Sequence, residues 1–134
     1  MDNRQSNRTW KILCWNIRGI NAENKWDSPK NKITESNCDI ISIQETKRSS
    51  FDLSYSETRS FDAFCFLPSI GASGGILVAW KSYFFSGLEI FPNEFAISVE
   101  FPSQFNNDSW ILTSVYGPCD VEGKSAFLDW FESI

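Results

Sequence analysis

The segment Ile40–Glu45 limits the folds open to this chain more than any other stretch. Ile40, Ile41 and Ile43 are β-branched, which favours a buried strand over a helix. Strand alternation places Glu45 on the same face as Ile41 and Ile43. A carboxylate at the tip of a buried strand lies at the rim of a sheet, where its oxygens can bind a hard cation. Taken alone, a solvated strand-end carboxylate is the simpler interpretation.

Two further segments, Thr9–Trp15 and Trp110–Tyr116, are apolar on both faces. The first is therefore expected to be a central strand of its sheet. A predicted helix over 25–37 separates it from the Ile40 strand, which indicates a right-handed crossover between two parallel strands. Asn16 and Glu45 would then lie at the same edge of the sheet.

The remaining pattern predicts, in chain order, strands over 61–67, 76–80, 87–91 and 95–101, and a helix over 123–134. The first two of these strands are expected to pair as a hairpin around a loop at 68–75. Residues 1–8 are predicted to be a disordered polar lead-in, and 9–134 to form one domain or part of one. The fold class is α/β, with a mixed sheet and outer helices.

Composition excludes several classes of protein. The chain is 42% hydrophobic and 16% aromatic, which is typical of a globular protein. Its apolar runs are too short to span a bilayer, and no signal-peptide pattern opens it, so no membrane partner is expected. It contains no histidine, which excludes Ser-His-Asp and Cys-His nucleophiles and histidine metal sites within these 134 residues.

Four cysteines, Cys14, Cys38, Cys65 and Cys119, are too far apart in sequence for a zinc knuckle or a redox pair. Cys14 and Cys65 lie in strand-like runs and are expected to be small core residues. This usage indicates a reducing, intracellular compartment.

The net charge of −5 is unevenly distributed. Residues 1–60 carry ten Lys/Arg and eight Asp/Glu, whereas residues 61–134 carry two and nine. Proteins that hold nucleic acid by bulk charge are basic. Any nucleic-acid function must therefore depend on a local site.

Two motifs each have a simpler interpretation. Gly71–Gly75 matches the nucleophile-elbow pattern, but a strand rather than a helix follows it and there is no histidine, so a hairpin turn is the better interpretation. Tyr116 ends a buried strand, where its phenol can pack or can donate a hydrogen bond to a phosphate. Asn16, Glu45 and Tyr116 together can bind a divalent cation and orient a phosphate, but they supply no general base.

Four segments occur in a characteristic order: Trp15–Gly19, Ile43–Lys47, Gly74–Gly75 and Val115–Cys119. In order and spacing they resemble the N-terminal half of the endonuclease/exonuclease/phosphatase domain. The resemblance runs from about residue 10 to the end. It is strongest to the version found in plant non-LTR (LINE-type) retrotransposons.

The resemblance implies a DNase I-like four-layer α/β sandwich and phosphodiester hydrolysis dependent on Mg²⁺ or Mn²⁺. By position, Glu45 matches the family's metal ligand and Asn16 the amide beside the metal and the scissile phosphate. Tyr116 matches the phosphate-contacting phenol. In retroelements the substrate is target DNA, nicked in the nucleus to prime reverse transcription.

The chain also departs from the family pattern. The later Asp-x-Asn and Asp-His pairs of the family have no match in this sequence. We therefore expect a truncated phosphodiesterase with weak or absent metal binding, inactive alone or nearly so. An uncovered sheet face would favour aggregation or self-association. The alternatives are a non-catalytic interaction module using that face, or a phosphatase of the same fold.

Overall fold

A computed structural model of the protein describes residues 10–17, 27–47, 61–70, 73–103, 107–117 and 121–134. The elements, in chain order, are β1 (Ile12–Asn16), α1 (Asp27–Ser36), β2 (Ile40–Gln44), β3 (Ala63–Ile70), β4 (Ser73–Trp80), β5 (Leu88–Ile90), β6 (Ala96–Pro102), β7 (Ser109–Val115) and α2 (Val121–Ser133). The predicted lead-in at 1–8 lies outside these residues. In the described part, neither helix is long and apolar enough to cross a membrane.

The first sheet has the strand order β1-β2-β4-β3. β1 and β2 are parallel, as the predicted crossover requires, and Asn16 pairs with Gln44 at their carboxyl ends. β2 is antiparallel to β4, and β3 and β4 form the predicted hairpin. The sheet is therefore mixed, as the sequence indicates.

Helix α1 covers one face of this sheet. Its buried anchor is Ile33, which packs in a cluster that includes Ile41, Ile43 and Leu77. The helix ends at Asn37, which has φ 52° and donates its N–H to the Thr34 carbonyl at 3.3 Å. An asparagine in the left-handed region is a common way to end a helix. The Ile41 face of β2 is thus the helix side of the sheet.

The second sheet has the order β5-β6-β7 and packs on the opposite face of the first. β7 lies against β2 and β4, and β6 lies against β3 and β4. The core between the sheets contains Ile40, Val78, Val99 and Phe101, all at most 1% exposed. The Phe101 ring stands edge-on to Trp80 at 5.4 Å between ring centroids. The two sheets therefore share one inter-sheet core.

Helix α2 follows β7 and packs at the start of β6. The rings of Phe127 and Trp130 lie 5.5 Å and 5.8 Å from that of Phe95. Two further apolar residues of the helix, Leu128 and Phe131, are half exposed. The predicted helix is thus present and covers the sheet only in part.

Two aspartates join neighbouring chain segments by hydrogen bonds at one end of the first sheet, where β1 and β2 begin and β4 ends. The buried carboxylate of Asp39 accepts a hydrogen bond from the Lys11 N–H at 3.0 Å and lies 3.9 Å from Lys81 Nζ. Asp62 accepts bonds from the Ser82 N–H at 2.9 Å and from its hydroxyl at 2.6 Å. The Ser82 hydrogen bonds lower the pKa of the Asp62 carboxyl, because they favour its charged form.

Three sequence expectations are wrong. β1 was expected to be central but is an edge strand among the described strands. Apolar residues on both faces indicate that both faces of a strand can pack, and they do not indicate whether both of its edges are paired. Cys14 is exposed and is not a core residue, whereas Cys65 is half-buried. The predicted loop at 68–75 contributes Pro68–Ile70 to β3 and Ser73–Gly75 to β4, so the hairpin is longer than predicted.

Candidate functional site

The carboxyl ends of three strands lie at one end of the molecule. Asn16 ends β1 beside Gln44, the last residue of β2. Gln44 pairs in turn with Ile76, near the start of β4. Tyr116 follows β7, and its ring lies against Gly74, the second residue of β4. The chain segments that carry Asn16, Glu45 and Tyr116 therefore meet at the same end of the two sheets, opposite Asp39 and Asp62.

Glu45 departs from the strand geometry that alternation assumes. β2 ends at Gln44, and Glu45 has φ 57°, in the left-handed region. Strand alternation therefore ends one residue before Glu45, and the expectation that Glu45 shares the Ile41 and Ile43 face stays a prediction. The carboxylate stands at the sheet rim and is only partly buried.

The backbone after Glu45 is held by the start of β4. The Thr46 N–H donates to the Gly75 carbonyl at 3.1 Å, and the Lys47 N–H donates to the Gly74 carbonyl at 2.8 Å. A Cβ at Gly75 would collide with the Thr46 hydroxyl oxygen. Glycine at this position is what allows the two segments to approach so closely.

Tyr116 is placed by the second sheet and touches the first. Its N–H donates to the Phe95 carbonyl at 2.8 Å, which continues the β6–β7 ladder by one residue. A Cβ built on Gly74 would lie 3.3 Å from Tyr116 Cε2. Since Gly74 also accepts the Lys47 hydrogen bond, one residue of β4 joins the Glu45 loop to the Tyr116 ring.

A polar cluster lies between the sheets below this rim. The Ser42 hydroxyl donates to the Ser114 hydroxyl at 2.8 Å, and the Gln44 amide nitrogen lies 3.3 Å from the same oxygen. Ser42 and Ser114 are each 2% exposed. Sequence reasoning missed this cluster. The available signal was that Ser42 and Gln44 alternate with Ile41 and Ile43 along the strand.

The rim offers an amide, a carboxylate and a phenol. Within the described residues, no three His, Cys, Asp or Glu side chains form a metal-binding group. One carboxylate with an amide fits Mg²⁺, which keeps several waters and takes one or two carboxylates plus phosphate oxygens in most protein sites. A set this small predicts weak binding.

Groups with shifted pKa values lie away from the rim. Burial raises the pKa of the Cys38 thiol, which packs beside α1. Burial, and then the neighbouring Glu89 carboxylate, raise the pKa of Cys65 to about 11. Neither thiol lies at the strand ends that carry Glu45 and Tyr116, and both stay protonated at neutral pH.

Comparisons with known proteins bear on the fold. No family model matches the sequence, and no curated protein matches it. Among solved structures, an AP endonuclease from Archaeoglobus fulgidus superposes with a TM-score of 0.66 at 17% identity. The match covers 92% of this chain and 49% of that one, so the chain spans about half the length of its structural neighbour. The architecture is accordingly DNase I-like and mixed α/β, as the sequence predicts.

Proposed function

We propose that the strand-end rim is a divalent-metal and phosphate site for phosphodiester hydrolysis, with DNA as the substrate. The observation that carries the proposal is the meeting of the Glu45 loop, the Gly74–Gly75 turn and the Tyr116 ring at one end of a DNase I-like pair of sheets. The likeness to an AP endonuclease supports the same reaction class.

Each residue has a distinct role in this proposal. Glu45 would hold Mg²⁺ or Mn²⁺ through its carboxylate, with the Asn16 amide beside the ion, and the Asn16 amide nitrogen would donate to a phosphate oxygen. Tyr116 donates its hydroxyl to a non-bridging phosphate oxygen. The metal supplies Lewis-acid stabilisation of charge on the phosphate. Because the 134 residues contain no histidine and the described residues form no group of three His, Cys, Asp or Glu side chains, turnover is expected to be very slow.

A measurement of metal binding distinguishes the proposed site from a rim that has only a structural role. We predict that Mn²⁺ broadens backbone NMR signals at Asn16, Glu45 and Tyr116, and that Glu45→Gln weakens Mn²⁺ affinity by about tenfold or more. Glutamine has the same length as glutamate, so the substitution removes the charge and keeps the size of the side chain at a residue with positive φ. A short DNA duplex should raise Mn²⁺ affinity in the wild type, since its phosphates complete the coordination shell.

The matched control is Glu35→Gln, which removes an exposed carboxylate from α1 and should leave Mn²⁺ binding unchanged. Tyr116→Phe keeps the ring against Gly74 and should reduce only the gain from DNA. Broadening that centres elsewhere, or that survives Glu45→Gln, would refute the metal site. Rapid nicking of supercoiled plasmid that Glu45→Gln abolishes would instead show that the chain is a complete enzyme.

We also propose a narrower assignment, that the DNA substrate is the target site of a LINE-type retroelement and that the protein acts in the nucleus. The support is the ordered set of four segments, Trp15–Gly19, Ile43–Lys47, Gly74–Gly75 and Val115–Cys119. Metal-dependent binding to duplex DNA in preference to small phosphomonoesters tests it against a phosphatase of the same fold.

A second candidate function is a non-catalytic interaction module. The observation that favours it is exposed apolar surface at one side of the two sheets: Ile12 and Trp110 are 39% and 38% exposed, and Ile111 is 50% exposed. Exposed apolar side chains favour binding to a partner or aggregation. Loss of Mn²⁺ binding with retained self-association would favour this candidate.

A further inference from the structure

Gln44 lies where the segments of the candidate site meet. It is the last residue of β2 and directly precedes Glu45. Its backbone carbonyl accepts the Ile17 N–H at 3.2 Å, which attaches the residue that follows Asn16. On its other side, its backbone pairs with Ile76 of β4. The backbone of Gln44 therefore holds the Asn16 and Glu45 segments together within the first sheet.

The side chain of Gln44 makes a separate link to the second sheet. Its amide nitrogen donates to the Ser114 hydroxyl oxygen at 3.3 Å. Ser114 is 2% exposed and lies on β7, two residues before Tyr116. Because the Tyr116 N–H continues the β6–β7 ladder, strand alternation places Ser114 and Tyr116 on the same face. One side-chain hydrogen bond thus joins the strand that precedes Glu45 to the strand that precedes Tyr116.

The Ser114 hydroxyl oxygen accepts two hydrogen bonds from β2 that differ in their distance from the rim. Ser42, which is 2% exposed, donates at 2.8 Å from deeper between the sheets. Gln44 donates from a half-buried position next to the rim. Since Ser42 already joins the two sheets, and an apolar side chain such as methionine would fill the space at position 44, packing alone does not require an amide there.

On the basis of the proposed function, we infer that Gln44 is a positioning residue, which sets the separation between Glu45 and Asn16 on the first sheet and Tyr116 on the second. A phosphate that contacts both an ion held by Glu45 and the Tyr116 hydroxyl requires that this separation be fixed. Packed sheets lie about 10 Å apart, so the separation depends on contacts between the layers close to the rim. The Gln44–Ser114 bond is such a contact.

This role has a signature in binding. The Asn16 and Glu45 segments are joined by backbone bonds, so Mn²⁺ affinity in the absence of DNA should not depend on the Gln44 side chain. The gain in Mn²⁺ affinity that DNA produces should depend on it, because that gain is a coupling between the metal and the phosphate contacts. A role in stability alone predicts no separation of these two quantities.

Mn²⁺ titration with and without a short DNA duplex measures both quantities. Gln44→Met keeps a side chain of similar length and removes the amide. We expect it to reduce the DNA-dependent gain by about fivefold, the effect of losing one hydrogen bond between neutral groups. Mn²⁺ affinity without DNA should stay unchanged. Ser114→Ala removes the acceptor instead of the donor and should reduce the gain in the same way.

Ser42→Ala is the matched control. It removes the other hydrogen bond to the Ser114 oxygen and leaves the Gln44 bond in place. It should lower the midpoint of urea unfolding and leave the DNA-dependent gain intact. In a Tyr116→Phe background, Gln44→Met should cause no further loss of the gain, because the two changes remove the same coupling.

NMR provides a test that needs no metal. Ser114→Ala should shift the side-chain amide signals of Gln44, and unshifted signals would overturn the inference without bearing on the metal site. A DNA-dependent gain that survives both Gln44→Met and Ser114→Ala, or that falls equally in Ser42→Ala, would also overturn the inference alone. A wild-type protein that shows no DNA-dependent gain would overturn both the inference and the proposed function.

Discussion

At the scale of single residues, the candidate site depends on backbone angles that no side-chain pattern encodes. Glu45 and Lys47 have φ values of 57° and 56° on either side of Thr46, so regular strand geometry ends at Gln44. Such angles cost about 1–3 kcal/mol each for residues other than glycine. The bonds from Thr46 and Lys47 to the start of β4 offset that cost. Strand alternation could predict that a carboxylate lies at this rim, but it could not predict the direction in which the Glu45 side chain points.

Cys65 provides a residue-scale prediction of pH dependence. Its folded-state pKa of about 11 lies above the ordinary value of 9.0, because burial and Glu89 disfavour the thiolate. The folded state therefore disfavours the Cys65 thiolate, and the contribution of Cys65 to stability should be constant below pH 9 and be lost as the pH rises from 9 toward 11. Urea unfolding at several pH values should show a smaller decline in Cys65→Ala than in the wild type, because the buried Cys38 thiol, whose pKa is also raised, still contributes.

Alkylation with iodoacetamide, an uncharged reagent, gives an independent check. The rate at Cys65 should rise with a midpoint well above 9, and Glu89→Gln should lower that midpoint. Cys14, which is exposed, serves as the reference thiol. A Cys65 midpoint at 9 would contradict the prediction.

At the scale of elements, the sequence predicted the identity of each described strand better than its ends or its neighbours. The β3–β4 hairpin follows from two apolar runs, but Pro68 and the glycines suggested a long loop between them. In the structure Ser69 pairs with Gly74 beyond the proline, and Pro68 lies on an outer edge where it needs no partner. Edge position is set by the whole sheet, so it could not be inferred locally.

The junction between β2 and β4 gives an element-scale prediction. Gly75→Ala should destabilise the fold by about 1–3 kcal/mol, because φ is 92° and the new methyl group would collide with the Thr46 side chain. The same change should weaken Mn²⁺ binding, since Glu45 precedes the displaced segment. Urea denaturation and metal titration measure the two effects.

Gly117→Ala is the matched control. A Cβ there would have its nearest neighbour, Phe127 Cε1, at 3.8 Å, which is ordinary contact distance. Its stability should change by less than about 0.5 kcal/mol. Equal losses of stability in the Gly75→Ala and Gly117→Ala variants would argue against a close approach of the Thr46 segment to β4 at the rim.

At the scale of the whole molecule, the two sheets are joined by an apolar core and by a few buried hydroxyls. The resemblance to a DNase I-like half-sandwich predicted the layers, and the structure agrees. The Ser42–Ser114 bond was not predictable, because it spans 72 positions of sequence and joins strands of different sheets. Roles for Asn16, Glu45 and Tyr116 rest on the family pattern and stay predictions.

A double-mutant cycle on Ser42 and Ser114 tests how firmly the sheets are coupled. Ser42→Ala should cost about 1 kcal/mol, because it leaves a buried hydroxyl with fewer partners. The double Ser42→Ala/Ser114→Ala variant should cost less than the sum, with a coupling energy of about 1 kcal/mol. Strict additivity would mean that the bond contributes nothing. Ser86→Ala, at an exposed serine, controls for loss of a hydroxyl.

The aspartates at the far end have a consequence for how such proteins diverge. Asp39 and Asp62 fasten the strand starts there to Lys11 and Ser82, so register is fixed at the end remote from the rim. Insertions or exchanges in the rim loops can then accumulate without shifting the strands. A lineage built on this frame is free to alter what it recognises while its scaffold stays the same.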